Sequence, residues 1–478
     1  MNWEMIPIRM AEFLRRCFPC LTALIVTLTG ASGSVMFLAG DEAIQATRRQ
    51  YVYDNDRLLL GAYCFDPGDA SSAQVGYIKE AGLDFVVGGY PTEAYLDECA
   101  RQGIGVIGSG YNLPSAYGNI AQSTADAWQT LTQAGYKAHP ALWGDDMIDE
   151  PNAAQFGKMA GMLDSYDQLN TQRLPYINLF PMYANNEQLG NDPEISTAIQ
   201  LLLPSSDYAD PQVDEYKRHV ADYLRTLDTD YISVDIYPLH GEIRADGAAA
   251  KTESSRSWLR NLDILAEACR DTGRDLWVIT QAAGNLYGVT DPGSMRYCDE
   301  TSDQLQQDYA ALAFGAKAII YACYQGGWWD EASHMLSNAG ARQATYYAVQ
   351  AANAQIRPFA QLYGQYDYRG TYAVNRTRVA GLKYDLYNGL PQSEQLKLQS
   401  KNGLLVGCFQ AKTGGGKAYV IANLEELGEE TTAALTVNFP AGKEVKVYGG
   451  GTVKTYSDGG KVNFSLAPGD GRFVTVGE

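Results

Sequence analysis

The sequence predicts a closed (β/α)8 barrel followed by a small all-β domain of β-sandwich type. Three observations predict it. From about residue 57 the chain repeats one unit: a short apolar strand, a polar-capped amphipathic helix and a glycine. The repeat supplies eight strands over roughly 300 residues, the signature of a parallel barrel. After about Arg357 helical periodicity gives way to strands separated by turn sequences. A large open α/β sheet gives similar local signals and is the alternative architecture.

The first strand is LLLGAYC (58–64), and Asp69 is placed to cap the helix after it, with Val75, Ile78 and Ala81 on one face and Gly82 at its end. LDFVVGG (83–89) is the second strand. Thr92 caps a helix carrying Tyr95, Leu96 and Cys99, Gly103 ends it, and IGVIGSG (104–110) follows. Gly135 precedes the fourth strand, LWGDDMIDEP (142–151), and a helix beginning near Asn152 leads to PYINLFP (175–181). DYISVDIYP (230–238), LWVITQ (276–281) and AKAIIYACY (316–324) complete the eight. GLLVGCFQ (403–410), KAYVIANLE (417–425), TAALTVNFP (432–440), KEVKVYGG (443–450) and GRFVTVG (471–477) form the all-β part. The expected organisation is a leader over 1–40, a barrel over 41–356 and a β-domain over 357–478.

The leader combines Arg9, Arg15 and Arg16 with the apolar run FPCLTALIVTL (18–28) and the small residues GASGS (30–34), the order of a secretory signal peptide. The expected location is outside the cell or at its surface. A second apolar patch, VMFLAG (35–40), leaves an uncleaved N-terminal anchor open. The formal charge of −19 and the lack of a basic stripe argue against nucleic acid and anionic membranes as partners. Thirty-three tyrosines suit either an aromatic core or a surface for the C–H faces of sugars. Of eight cysteines, Cys17 and Cys20 fall in the leader; Cys64, Cys99, Cys269, Cys298, Cys323 and Cys408 have no paired spacing, and most read as small buried hydrophobes. His139, His219, His240 and His334 lack ligand spacing, and no cofactor or metal is expected.

Polar residues at the C-terminal ends of barrel strands are where chemistry is expected. Glu150 ends the fourth strand beside Asp145, Asp146 and Asp149, and Pro151 stops it. Four acids within six residues repel one another and raise at least one pKa, the condition a general acid needs near neutral pH. The competing reading is an acid-rich first turn interacting with the dipole of the helix that follows.

With DEP at 149–151, INLFP at 177–181, VDIYP at 234–238, the stretch from Gln304 through 313–324, and LAPGDGRF at 466–473, the chain resembles the clan A glycoside hydrolases, specifically barrels of the β-galactosidase-related group. The resemblance implies that Glu150 is the acid/base and that a carboxylate nucleophile belongs at the end of the seventh strand. That strand ends in Gln281, whose amide cannot form a glycosyl ester. The second carboxylate is therefore expected from Asp235 first, with Glu300, Asp330 and Glu331 as alternatives. A spacing of about 5 Å suits a nucleophile and about 7–9 Å a base acting with inversion. Asp146, Asp149, Asn178, Tyr63, Tyr237, Gln281, Trp328 and Trp329 are expected around the substrate, with only one of the two tryptophans lining the pocket. The expected function is an exported glycoside hydrolase acting on a neutral glycan. The alternative is a non-catalytic carbohydrate-binding protein on the same barrel, which Gln281 motivates.

Overall fold

The first barrel strand, β1 (Leu59–Tyr63), pairs on one side with β2 (Phe85–Val87). The succession continues through β3 (Gly105–Gly108), β4 (Leu142–Asp149), β5 (Leu174–Leu179), β6 (Tyr231–Ile236), β7 (Asp275–Gln281) and β8 (Ala316–Ala322). All pairs are parallel, and β8 returns to β1 in register from Leu59 with Ala318 to Tyr63 with Ala322. That last pairing closes the barrel and rules out the open sheet. The structure is a computed structural model and describes residues 43–65, 72–89, 91–108, 139–169, 172–190, 211–243, 249–251, 258–285, 297–374, 389–394, 396–423 and 432–477. The leader, Asp69 and Gly135 lie outside the described residues.

Helices α1 (Ser72–Glu80), α2 (Glu93–Gln102), α3 (Phe156–Leu169), α4 (Pro211–Thr226), α5 (Trp258–Thr272), α6 (Thr301–Ala313) and α7 (Ala344–Tyr363) follow the strands. Local chemistry sets their ends. Thr92 accepts a hydrogen bond from the Tyr95 amide at 3.3 Å, and Gly103 closes α2 at a φ of 73°. Asn152 caps a 3-10 turn, Ala153–Gln155, that runs directly into α3.

The inside of the barrel is filled by Leu59, Phe85, Tyr176, Tyr231, Trp277 and Ile279, among others. Gly105 makes room for the Trp143 ring: a Cβ there would lie 2.0 Å from it. At the N-terminal mouth, Tyr51 and Tyr53 stack with ring centroids 5.3 Å apart, and Tyr53 stacks on Trp143 at 4.6 Å. The barrel interior is thus a packed core, and stacked rings cover its N-terminal mouth.

Helix α7 runs through residue 357 to Tyr363, and the antiparallel part begins with β9 (Tyr366–Val374). It continues with β10 (Lys397–Gln399), β11 (Leu404–Ala411), β12 (Lys417–Asn423), β13 (Ala433–Phe439), β14 (Val445–Gly449), β15 (Thr452–Tyr456), β16 (Gly460–Leu466) and β17 (Gly471–Val476). A six-stranded sheet, in the order β9-β11-β12-β17-β14-β15, faces a three-stranded sheet, β10-β13-β16, across a core that includes Val406, Ile421, Leu435 and Val474. The other face of the larger sheet rests on the barrel through Leu405, Phe409, Val420 and Phe473. Thr371 donates to the Ala313 carbonyl at 2.8 Å across that seam. Strands β9, β10, β15 and β16 were not expected from sequence. Their residues are mostly half-buried or exposed, so the apolar alternation that marks a strand is weak in them.

Candidate active site

Strand β4 carries most of the acids, and two register shifts decide which of them face the barrel interior. Leu142 pairs with Val106 but Gly144 with Ile107, and a second shift falls between Asp146 and Ile148. Each extra residue flips the side-chain alternation. Asp145 consequently turns out to the helix layer, buried, where it pairs with Arg173 and accepts from the Tyr166 hydroxyl at 2.6 Å. Asp145 therefore leaves the expected cluster of four. Asp146 and Asp149 point the other way, and their negative charges, after burial, hold the Tyr63 phenol well above its ordinary pKa.

One buried amide, that of Asn178 on β5, links the acids of two strands. Its Nδ2 donates to Asp149 Oδ1 at 3.1 Å and to Asp235 Oδ1 at 2.8 Å. Its Oδ1 accepts from the Ser233 hydroxyl at 3.0 Å, and Ser233 lies 2.9 Å from the Tyr176 hydroxyl. Ser233 has a single proton and spends it on Asn178, so Tyr176 must donate to Ser233. The relay runs Tyr176, Ser233, Asn178 and ends on the two carboxylates.

Glu150 stands beside this pair. Its amide donates to the Asn178 carbonyl at 2.8 Å and its φ is 48°, in the left-handed region. Among the described residues no side chain donates to its carboxyl. Burial first, then the charges of Asp235 and Asp149, push it up to about 8. Burial and the charge of Asp149 push Asp235 to about 7, against the donors Asn178 and Tyr237. Asp149 is open to solvent yet crowded by protein, and burial raises its pKa against the Asn178 bond and the Glu150 backbone. Burial raises all three carboxyls, repulsion adds to it at Glu150 and Asp235, and the donors favour leaving the proton on Glu150.

An aromatic wall adjoins the acids. Tyr237 lies 5.6 Å from Trp328 and 5.2 Å from Trp329, ring centroid to centroid, and Tyr63 lies 6.2 Å from Trp328. Both tryptophans are half-buried and both meet Tyr237, so neither is purely core, contrary to the expectation that one would be. The loop bearing them is pinned from beneath: buried His334 donates from Nε2 to the Trp328 carbonyl at 2.8 Å, and Ser333 donates to the Gly284 carbonyl at 2.8 Å. The non-glycine residues of positive φ among the described residues are Cys64 (64°), Glu150 (48°) and Trp329 (66°), all at this mouth. Backbone strain of this kind gathers where side chains must be aimed for a task.

Solved structures that resemble the chain are glycoside hydrolases. A β-xylosidase from Caulobacter crescentus CB15 matches at 11% identity over 91% of this chain and 99% of its own, with a TM-score of 0.43. A structure described only as a glycoside hydrolase matches at 11% over 90% and 97%, TM-score 0.49. A GH42 β-galactosidase from G. stearothermophilus matches at 10% over 90% and 99%, TM-score 0.44. Likenesses this remote say nothing of activity, and the barrel stands on its own strand pairing. No protein-family model matches the chain, and neither does any curated protein sequence.

Gln281 is not available to a ligand. It is fully buried, its Nε2 donating to the carbonyls of Leu239, Ala283 and Tyr297 and its Oε1 accepting from the Leu239 amide at 3.0 Å. The amide read as a sugar ligand is spent on tying three loop backbones together. Glu300 occupies the N-cap position of α6, and Glu331 accepts from the Asn338 amide at 2.7 Å. The charges that most raise Glu150 are those of Asp235 and Asp149, and the one that most raises Asp235 is that of Asp149. Asp330 is the N-cap residue of the 3-10 turn Glu331–Ser333. Among the described residues no group of three or more His, Cys, Asp or Glu side chains is placed to hold a metal, and no helix is long and apolar enough to cross a membrane. Sequence reasoning missed Ser233 and Tyr176. Alternation along β6 puts Ser233 on the face of Asp235, and along β5 puts Tyr176 on the face of Asn178, which is the signal that could have found both.

Proposed function

We propose that the protein is an exported glycoside hydrolase acting on a neutral glycan, with Glu150 as general acid/base and Asp235 as its ionised partner. The observation that carries this reading is the unequal sharing of hydrogen-bond donors. Asp149 and Asp235 receive the Asn178 amide while no side chain among the described residues donates to Glu150, which favours the proton on Glu150 and the charge on its neighbours. A glycosidic bond breaks when an acid protonates the leaving oxygen as a carboxylate attacks the anomeric carbon or activates water. Glu150, raised to about 8, holds its proton at neutral pH, and Asp235, raised only to about 7, is the readier of the two to ionise. Tyr63, Tyr237 and the two tryptophans offer apolar faces against which a sugar ring stacks. The charge of −19 favours an uncharged glycan over an acidic one, and the arginines and apolar run of the leader support export.

The test is Glu150→Gln and Asp235→Asn assayed on a panel of aryl glycosides and oligosaccharides. Unchanged turnover of any good substrate by Glu150→Gln overturns the reading. Gln281 favours a second reading, because a buried amide stands where the resemblance places the nucleophile. A purely carbohydrate-binding protein binds sugars in the millimolar to micromolar range and releases no reducing ends after long incubation.

A further inference from the structure

Beneath the aromatic wall lies a pair of thiols that the proposed reaction does not use. Cys64 directly follows β1 and Cys323 directly follows β8, and the two strands are neighbours paired up to Tyr63 with Ala322. The sequence separates these cysteines by more than half the chain; barrel closure places them side by side. Gly327 measures their proximity. A Cβ at Gly327 would lie 2.6 Å from Cys323 Sγ and 3.2 Å from Cys64 Sγ, so both sulfurs meet at one point under the loop. The neighbouring Cys323 thiol, together with burial, raises the Cys64 thiol far above its ordinary pKa. Cys64 is half-buried at the rim and Cys323 buried behind it. Cys99, Cys269, Cys298 and Cys408 are buried elsewhere, on α2, on α5, before α6 and on β11.

We infer that Cys64 and Cys323 are a disulfide-forming site that staples the ends of β1 and β8 beneath the loop of Gly327, Trp328 and Trp329. The oxidant is a small-molecule or protein disulfide. The Cys64 thiolate attacks one of its sulfurs and releases one thiol. The Cys323 thiolate then attacks Cys64 Sγ in the mixed disulfide and releases the second. The two protein thiols lose two protons and two electrons, and the oxidant's disulfide becomes two thiols. Exposure makes Cys64 the first to react, and contact makes Cys323 the resolving thiol. The high pKa of Cys64 makes the first step slow at neutral pH and faster in alkali. Closing a loop of this length constrains the unfolded chain, and the oxidised protein is the more stable form.

The experiment reads thiols and unfolding, not turnover, and so stands apart from the glycosidase reading. The reduced full chain is incubated with excess oxidised glutathione, unfolded, alkylated and mapped by peptide mass spectrometry. Cys64 and Cys323 are expected to escape alkylation together and to appear in one cross-linked peptide pair, with Cys99, Cys269, Cys298 and Cys408 alkylated. Formation of the cross-link is expected to be faster at pH 9 than at pH 7. The oxidised protein should melt several degrees higher and return to the reduced midpoint on adding dithiothreitol. Cys64→Ser abolishes the cross-link, and Cys323→Ser, should the first variant fold poorly, leaves Cys64 as a mixed disulfide. Full alkylation of both cysteines in the wild type after incubation overturns the inference, as does a mixed disulfide on Cys64 that never transfers to Cys323.

Discussion

The two mouths of the barrel hold acids in opposite circumstances. At the N-terminal mouth Arg49 reaches Asp167 at 2.6 Å, Asp230 at 2.7 Å and Asp228 at 3.5 Å, and Arg48 pairs with Asp275 at 3.0 Å. Two stacked tyrosines seal the space between. At the C-terminal mouth Asp149, Glu150 and Asp235 face one another, with no ion pair to any of the three among the described residues. Their pKa values are all raised. Acids paired with cations spend their charge on holding the fold together. Acids turned on one another cost stability and keep protons available near neutral pH, which is the usual exchange at a catalytic site.

The sharpest way to break this contrast is Glu150→Gln. Turnover should fall by about 10²–10⁴-fold, the range general acid catalysis spans, with the circular dichroism unchanged. Should turnover survive, the raised pKa is incidental. Stability against pH tests the same asymmetry without a substrate. The folded-state pKa of Glu150, about 8, lies above the ordinary 4.5, so between those values the folded protein holds a proton that the unfolded chain has lost. Stability conferred by that proton is complete at low pH and disappears as pH rises through about 8. Urea titrations should show the wild type losing about 2–4 kcal/mol relative to Glu150→Gln across this window. A flat difference would mean that Glu150 ionises normally.

At the opposite mouth, Arg49→Met leaves partly buried aspartates without their cation. It should cost about 2–3 kcal/mol in urea unfolding while the pH dependence of turnover stays put. A moved pH profile would show that the two mouths are not independent. That profile should be a bell, falling below about 7 as Asp235 takes up a proton and above about 8 as Glu150 loses its own. The smallest effect is expected from Ser233→Ala, which frees the Asn178 carbonyl and weakens its amide as a donor to Asp235. The acidic limb should move up by about 0.5–1 pH unit, and Ser233→Thr should restore it. An unmoved limb would reduce the relay to packing.

Much of this was legible in the sequence because the governing interactions are local. Apolar runs of strand length, the Thr92 cap and the Gly103 stop are each decided within a few residues, and the bounds of the eight barrel strands fall within two residues of those expected. The proline after Glu150 marks the end of β4 in the same way. Tertiary structure decided what depends on register and closure. Alternation is readable along a strand until an added residue flips it, so only the shifted pairing of β4 could separate outward Asp145 from inward Asp146 and Asp149. Gln281 looks from sequence like a strand-end ligand, but the backbone carbonyls that consume its amide come from three separate loop positions. The bridging of Asp149 and Asp235 by one amide, and the meeting of Cys64 with Cys323, arise from neighbouring strands whose residues are far apart in sequence. Local propensity determines which residues form strands, and only closure of the barrel determines which strand ends meet.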